Sequence, residues 1–296
     1  MKNRLFLPAN PGEDSLYARI RDDPRGKTHL ERLESMWAEY RDHAPKDFER
    51  NLQSQFHQRW WEMYLTIGLV HLGFNVKSSP KNKGPDLVVE VGGTRLFIEA
   101  VAPKVGEKSD RVPDPIMNGV GDYPMRECLL RLAQGLESKR EAFARYAEES
   151  IIQPGDACII AISACDLNQF GSLLDWPCPP PIALLAGAGH MVVTLDGSRD
   201  PFCMRQKSIN RDSGSPVDTA MYEREDFRVV SAVLYSKPDP LNAPGLPESS
   251  LSLFLNPRAR RPVPHDMCVT METWTEEQRD TETIWSRTQP AVAHKG

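Results

Sequence analysis

Two carboxylates on neighbouring strands of a predicted hairpin are the first residues whose spacing indicates chemistry. Gly92-Gly93 separates two apolar segments, and a two-glycine turn between apolar runs is a typical hairpin signal. If Val91 and Thr94 close the turn, the numbers of paired residues sum to 185. Asp86 then lies opposite Glu99 as a non-hydrogen-bonded pair, with Cα atoms ~4.5 Å apart. The sequence therefore predicts two carboxylates on one face of the hairpin.

A bound cation is the chemistry that this pair favours. Like charges opposite one another destabilise a strand pair, and a cation between them removes the repulsion. Two carboxylates, a backbone carbonyl and water suit Mg²⁺ or Mn²⁺, so Asp86, Glu99 and the carbonyl of Ala100 are the predicted metal ligands. The alternative is a protonated or solvent-exposed pair at the end of a strand.

A third acidic residue, Glu62, lies among aromatic residues in the segment RWWEMYL. On a helix, Glu62 shares a polar stripe with Gln55, Arg59 and Thr66. Two interpretations stay open: a carboxylate that belongs to the same site as Asp86, or a solvated helix face that carries an ion pair between Glu62 and Arg59.

The elements that must position these residues follow from the periodicity of apolar side chains. Helical spacing predicts helices over 27–42, 46–72 and 125–147, with Gly73 ending the second. Apolar runs or alternation predict strands over 74–77, 86–91, 94–101, 157–164, 191–195, 228–235 and 251–255. Around the hairpin, the order is therefore helix, three strands, helix, strand. Residues 272–296 are polar without a clear period and are predicted to be a mobile tail.

The helix glutamate, Pro85-Asp86 at the head of a strand, and a strand that ends Ile-Glu-Ala-Val resemble the PD-(D/E)XK nuclease superfamily, whose common core is αβββαβ. The resemblance covers about residues 51–165. It implies an α/β fold: a restriction-endonuclease-like core with N-terminal helices and a β-rich, proline-rich C-terminal extension. The implied divisions are an N-terminal helical segment (1–50), the core (51–170), strands that complete or extend the sheet (171–271) and the tail (272–296).

The same resemblance implies a function. It implies metal-dependent phosphodiester hydrolysis of nucleic acid, with DNA as the predicted partner, and it admits a homodimer. Asp86 and Glu99 would bind the metal ion, and Glu62 would orient a water molecule or a second ion. The metal would generate hydroxide and stabilise charge on the scissile phosphate.

The lysine of the superfamily motif is missing from its usual place. It is expected two residues after Glu99, where this chain has Val101. Within 125–147, apolar residues at +4 and +3 spacing form a stripe that Lys139 interrupts, so Lys139 is the predicted replacement, with Lys104 second. The alternative for Lys139 is an ammonium directed to solvent.

Two other functions stay open. A nuclease fold without activity, retained for DNA binding or protein contacts, is favoured by the valine at position 101. An unrelated α/β binding module, in which the hairpin is an ordinary sheet edge, would leave the two carboxylates apart.

Charge and composition limit the kinds of partner that the chain is expected to bind. With 36 Lys and Arg against 41 Asp and Glu, the net charge of −5 excludes wholesale electrostatic capture of nucleic acid. A local patch would be needed, and Arg258, Arg260 and Arg261 are the predicted phosphate contacts; a solvated loop is the alternative. Six cysteines without a C-x-x-C pair, and no apolar run of membrane-spanning length, predict a cytoplasmic protein with no membrane partner.

Overall fold

The chain folds as a mixed α/β structure with a large mixed sheet and helices on both of its faces. The computed structural model describes residues 4–78, 84–107, 109–114, 123–167, 178–195, 202–279 and 282–290. Its α-helices are α1 (Ser15–Asp22), α2 (Lys27–Tyr40), α3 (Phe48–Ser54), α4 (Phe56–His71), α5 (Met125–Glu148), α6 (Pro180–Leu185) and α7 (His265–Cys268). Among the described helices, none combines the length and apolar character needed to cross a membrane.

Eight strands form the main sheet, in the order β1-β2-β3-β4-β9-β10-β11-β12. They are β1 (Val76–Ser78), β2 (Leu87–Val91), β3 (Thr94–Val101), β4 (Ala157–Ser163), β9 (Ala232–Ser236), β10 (Ser252–Leu255), β11 (Glu272–Arg279) and β12 (Glu282–Thr288). The central strands β3, β4 and β9 are parallel to one another, and β1, β2 and β3 are antiparallel neighbours. Two small sheets lie outside this one: β5 (Ala188–Val192) with β6 (Phe202–Arg205), and β7 (Ser208–Asn210) with β8 (Pro216–Asp218).

Alternation along β3 divides the core between the two faces of the sheet. Leu96, Ile98 and Ala100 face the layer of α1 to α4, whereas Phe97 and Val101 face the layer of α5 and α6. A strand covered on both faces needs apolar residues at nearly every position. The charged residue Glu99 on the α5 face, with only 3% of its surface exposed, is therefore an exception that needs a partner.

The hairpin has the predicted register. Val91 pairs with Thr94 and Leu87 with Ile98, so the paired numbers sum to 185 as expected. Gly92 and Gly93 have φ angles of +54° and +76°, which the tight turn of a two-residue hairpin requires and which glycine adopts without strain.

Several elements differ from the prediction. The strand expected over 228–235 is β9, which begins only at Ala232, because residues up to Val229 form a 3₁₀ turn. The helix expected over 46–72 is divided at Gln55, whose φ of −131° and ψ of 47° interrupt the helical backbone between α3 and α4. The strand expected over 191–195 is β5, which lies three residues earlier in the chain and pairs with β6 outside the main sheet. α1 was not predicted; Tyr17 and Ile20 are its buried residues, too few to form a clear stripe in the sequence.

The prediction of a mobile tail over 272–296 is wrong for most of that segment. β11 pairs with β10 in parallel, and β12 pairs with β11. Trp274 stacks on Phe254 with ring centroids 5.6 Å apart, which fixes the hairpin on the sheet. Trp274 and Trp285 pack on the apolar cluster of the α5 face, but most residues around them are polar, so no alternating apolar pattern marks these strands in the sequence. Residues 291–296 lie outside the described residues.

Candidate active site

Three predicted site residues meet where β2 begins and β3 continues beyond it. The Lys139 ammonium of α5 lies 3.5 Å from Oδ2 of Asp86 and in direct contact with Oε2 of Glu99. Both carboxylates therefore face the same point on the α5 side of the sheet. The interpretation of the hairpin as an ordinary edge with separated carboxylates does not match this geometry.

Side chains replace strand pairing at the edge of β3. Because β2 begins at Leu87, no described strand pairs with the backbone around Ala100 on this side. Asp86 Oδ2 accepts the Ala100 N–H at 2.7 Å, while Gln58 of α4 donates to the Ala100 carbonyl at 3.2 Å and accepts from the Ala102 N–H at 2.8 Å. The edge is thereby satisfied, and the carboxylate of Asp86 is fixed beside Glu99.

Helix α5 runs against β3 so that Lys139 reaches the carboxylates. Gly135, one turn before Lys139, allows the close approach: a Cβ there would lie 2.9 Å from Pro103 Cγ and 3.2 Å from Ile162 Cδ1. The Lys139 side chain is 20% exposed, so it does not direct its ammonium into bulk solvent. Lys104, the second predicted replacement, is exposed beyond the end of β3.

Tyr146 completes the surroundings of Glu99 and was not predicted as a site residue. Its hydroxyl donates to Oε1 of Glu99 at 2.9 Å, while Lys139 contacts the other oxygen. In the sequence, Tyr146 belongs to the same stripe as Lys139, seven residues later. That spacing is the sequence signal that could have identified Tyr146 as a site residue. An aromatic residue on an apolar stripe, however, ordinarily packs in the core.

The protonation of the site reflects burial and the two neighbouring charges. Burial and the negative charge of Asp86 raise the pKa of Glu99, against the opposing effect of Lys139 and Tyr146. Burial alone would lower the pKa of Lys139, but the two carboxylates outweigh it and raise that pKa. Lys139 is therefore a fixed cation at neutral pH, a role in which it offsets the repulsion between Asp86 and Glu99.

Glu62 lies on the opposite side of the sheet edge, in the layer of α4. Its ion pair with Arg59, 2.6 Å between Oε2 and Nη1, has the predicted i,i+3 spacing. The expected solvated face is wrong, however, because Glu62 is only 9% exposed. Burial raises the pKa of Glu62, and Arg59 opposes that effect. Gln58 donates to Glu62 at 2.9 Å and so connects it to the Ala100 carbonyl.

The donor set fits a hard divalent cation. Asp86 and Glu99 supply carboxylate oxygens, and the Ala100 carbonyl keeps a second lone pair beside its bond from Gln58. Mg²⁺ is commonly held by one or two carboxylates with several waters. Among the described residues, no group of three or more His, Cys, Asp and Glu side chains is arranged to hold a metal ion, so an ion bound between these two carboxylates would take its other ligands from the carbonyl and water.

The predicted arginine patch lies apart from this site. Arg261 donates to Thr94 Oγ1 at 3.0 Å, and Thr94 is at the turn end of β3, about 17 Å from Glu99 at ~3.3 Å per residue. Arg258 pairs with Glu276 at 3.1 Å, and Arg260 is exposed. The structure therefore does not bring the three arginines to the carboxylates.

Comparisons with known proteins add no relative to this description: no protein-family model, no curated protein and no solved structure matches the chain.

Proposed function

We propose that the chain hydrolyses phosphodiester bonds in nucleic acid, with DNA as the expected substrate. The reaction would be metal-dependent and would take place on a restriction-endonuclease-like core. The observation that carries the proposal is the convergence of Asp86, Glu99 and Lys139 on one point. The order α4, β1, β2, β3, α5, β4 among the described elements agrees with the αβββαβ core of the superfamily that the sequence resembles.

Each residue has a distinct part in this proposal. Asp86, Glu99 and the Ala100 carbonyl would hold Mg²⁺ or Mn²⁺, which when bound supplies a water of lowered pKa and a positive charge beside the phosphate. Lys139 places a buried ammonium where negative charge develops on the phosphoryl oxygens. Glu62, with its raised pKa, is placed to hold a proton or orient water on the α4 side.

The second candidate is a nuclease fold that binds nucleic acid or protein without cleaving. The observation that favours it is that Lys139 contacts both carboxylates and so balances part of their charge without a metal ion. The two candidates share the site and differ in whether a divalent ion displaces or joins the ammonium there.

Plasmid cleavage with Mg²⁺ or Mn²⁺ separates the candidates. We expect the wild-type chain to nick or linearise supercoiled DNA, and Asp86→Ala to abolish cleavage. Glu90→Gln is the matched control, because Glu90 is an exposed carboxylate on the same hairpin, paired with Lys77 at 3.5 Å, away from the site. A folded wild-type chain that cleaves with neither Mg²⁺ nor Mn²⁺ would favour the inactive fold, and cleavage that survives in Asp86→Ala would contradict the proposed site.

A further inference from the structure

Arg131 lies on α5 two turns before Lys139, beside the loop that follows β3. Its guanidinium packs against Gly106 in that loop: a Cβ built on Gly106 would meet Nη1 at 2.5 Å, Cζ at 2.7 Å and Nε at 3.0 Å. Gly106 also has a φ of +85°, a conformation that favours glycine. The absence of a side chain at position 106 therefore leaves room for the guanidinium. The side chain of any other residue there would occupy that room.

Among the described residues, this guanidinium has no counter-charge. None of them accepts a hydrogen bond from the buried Nε of Arg131, and none forms an ion pair with this residue. The residue is half-buried overall, which leaves the terminal nitrogens as the donors that a ligand can reach.

Two carboxylates near this loop are engaged elsewhere. Glu127, one turn earlier on α5, pairs with Arg126 at 2.6 Å. Asp166, which reaches the same loop, accepts the Val105 N–H at 3.2 Å and faces Nδ1 of His57 at 3.6 Å. Glu107, in the same loop, is exposed. With its half-buried acidic neighbours bound to other groups, the guanidinium is available for an anion from outside the protein.

We propose that Arg131 binds a backbone phosphate of the nucleic-acid substrate, a role that rests on the proposed function. A guanidinium presents paired N–H donors that match the oxygens of a phosphate. Eight residues of helix separate Arg131 from Lys139, a rise of about 12 Å. Since a DNA strand advances 3.4 Å per nucleotide, Arg131 contacts a phosphate roughly three to four nucleotides from the one at Lys139.

The test compares the salt dependence of DNA binding in Arg131→Gln and in Arg19→Gln. The control removes the same charge from an exposed arginine on α1, in the helical layer on the other face of the sheet. The probe is a short fluorescent DNA duplex, titrated with Ca²⁺ in place of Mg²⁺ to prevent cleavage, over a series of salt concentrations. Thermal melts of each variant verify folding.

One lost phosphate contact has a defined signature. Arg131→Gln should weaken binding about tenfold on every duplex sequence and reduce the slope of log K against log salt by ~0.9, while Arg19→Gln leaves both unchanged. Arg131→Lys, which keeps the charge but not the fork, should retain most of the slope with weaker binding. A slope and affinity in Arg131→Gln equal to those of Arg19→Gln would overturn the role of Arg131 alone. A wild-type chain that binds no nucleic acid would overturn the proposed function as well.

Discussion

Lys139 and Glu99, 40 residues apart in the chain, form an ion pair in which the glutamate side chain is 4% exposed. Asp86 lies 3.5 Å from the same ammonium, so one cation forms ion pairs with two carboxylates. Burial makes these charges interdependent, because Asp86 and Lys139 act in opposite directions on the pKa of Glu99.

Replacing Lys139 with Met should make stability depend on pH. The change removes the cation that lowers the pKa of Glu99, so that pKa rises further. A group whose folded pKa is raised loses stability as the pH increases through that pKa. We therefore expect the variant to melt close to the wild type in acid and to be less stable at neutral pH, by up to about 3 kcal/mol for a buried charge without its partner.

Denaturation curves across the pH range measure this effect. The apolar stem of Met alone would predict unchanged stability, and an equal loss at all pH values would contradict the coupling to Glu99. In a cleavage assay, the same variant should lose about 10²–10³ in rate if Lys139 stabilises the transition state.

Divalent-metal binding should require both carboxylates. Asp86→Asn and Glu99→Gln keep the side-chain shapes and remove one charge each, so we expect Mn²⁺ binding to be lost in both while the fold stays intact. The amide introduced by Asp86→Asn keeps an oxygen that can accept the Ala100 N–H, which an alanine side chain would not. Titration calorimetry with Mn²⁺ decides the point, and an unchanged affinity in either variant would place the metal elsewhere.

Tyr146→Phe should shift the pH dependence of any activity. The hydroxyl donates to Glu99 at 2.9 Å and helps lower its pKa, so its loss raises that pKa. If Glu99 must be ionised to bind metal, the acidic limb of the pH-rate profile moves to higher pH in the variant. The activity lost near neutral pH should then return in more alkaline buffer. A uniform loss at every pH would instead indicate a purely structural role for Tyr146.

His71 should link stability to pH at a second place, remote from the site. Its ring nitrogens lie 3.0 Å from Glu39 and 3.0 Å from Glu248, joining α2, α4 and a 3₁₀ turn at Pro247–Ser250. Burial lowers the pKa of His71, but the two hydrogen bonds together outweigh it and raise that pKa.

The stabilisation from His71 is full below the unfolded value of about 6.5 and is lost as the pH rises through the folded pKa. We expect at most about 1 kcal/mol, because the groups are partly exposed. His71→Gln should flatten the decline in melting temperature above pH 6.5, whereas His190→Gln, at an exposed histidine, should not.

The local parts of the fold and of the site were predictable from the sequence. Two glycines at the turn determine the hairpin register, and the register puts Asp86 and Glu99 on one face. The position of Lys139 within an apolar stripe indicated that it faces the interior. The order of elements indicated that this helix packs beside the hairpin of Asp86 and Glu99. The register and the stripe depend on residues close together in the chain, and the placement of α5 depends on the resemblance to the αβββαβ core.

The parts that depend on tertiary packing were not predictable in this way. Gln58 is a polar residue of α4 outside the predicted stripe, and it becomes a partner of the β3 edge only because no described strand pairs with Ala100 there. Glu62 belongs to the predicted polar stripe, yet the surrounding layers bury it. β11 is mostly polar, so no apolar period marks it in the sequence.

The contact between Val101 and Gly135 limits where an ammonium can enter this site. Val101 Cγ1 lies 3.5 Å from the position of a Cβ on Gly135, so the side chain at position 101 faces the helix that carries Lys139. The strand position and the helix position for the lysine therefore face one another across a contact in which glycine is already the smallest residue. A double exchange, Val101→Lys with Lys139→Met, would bring a lysine to this contact from the strand only while residue 135 stays a glycine.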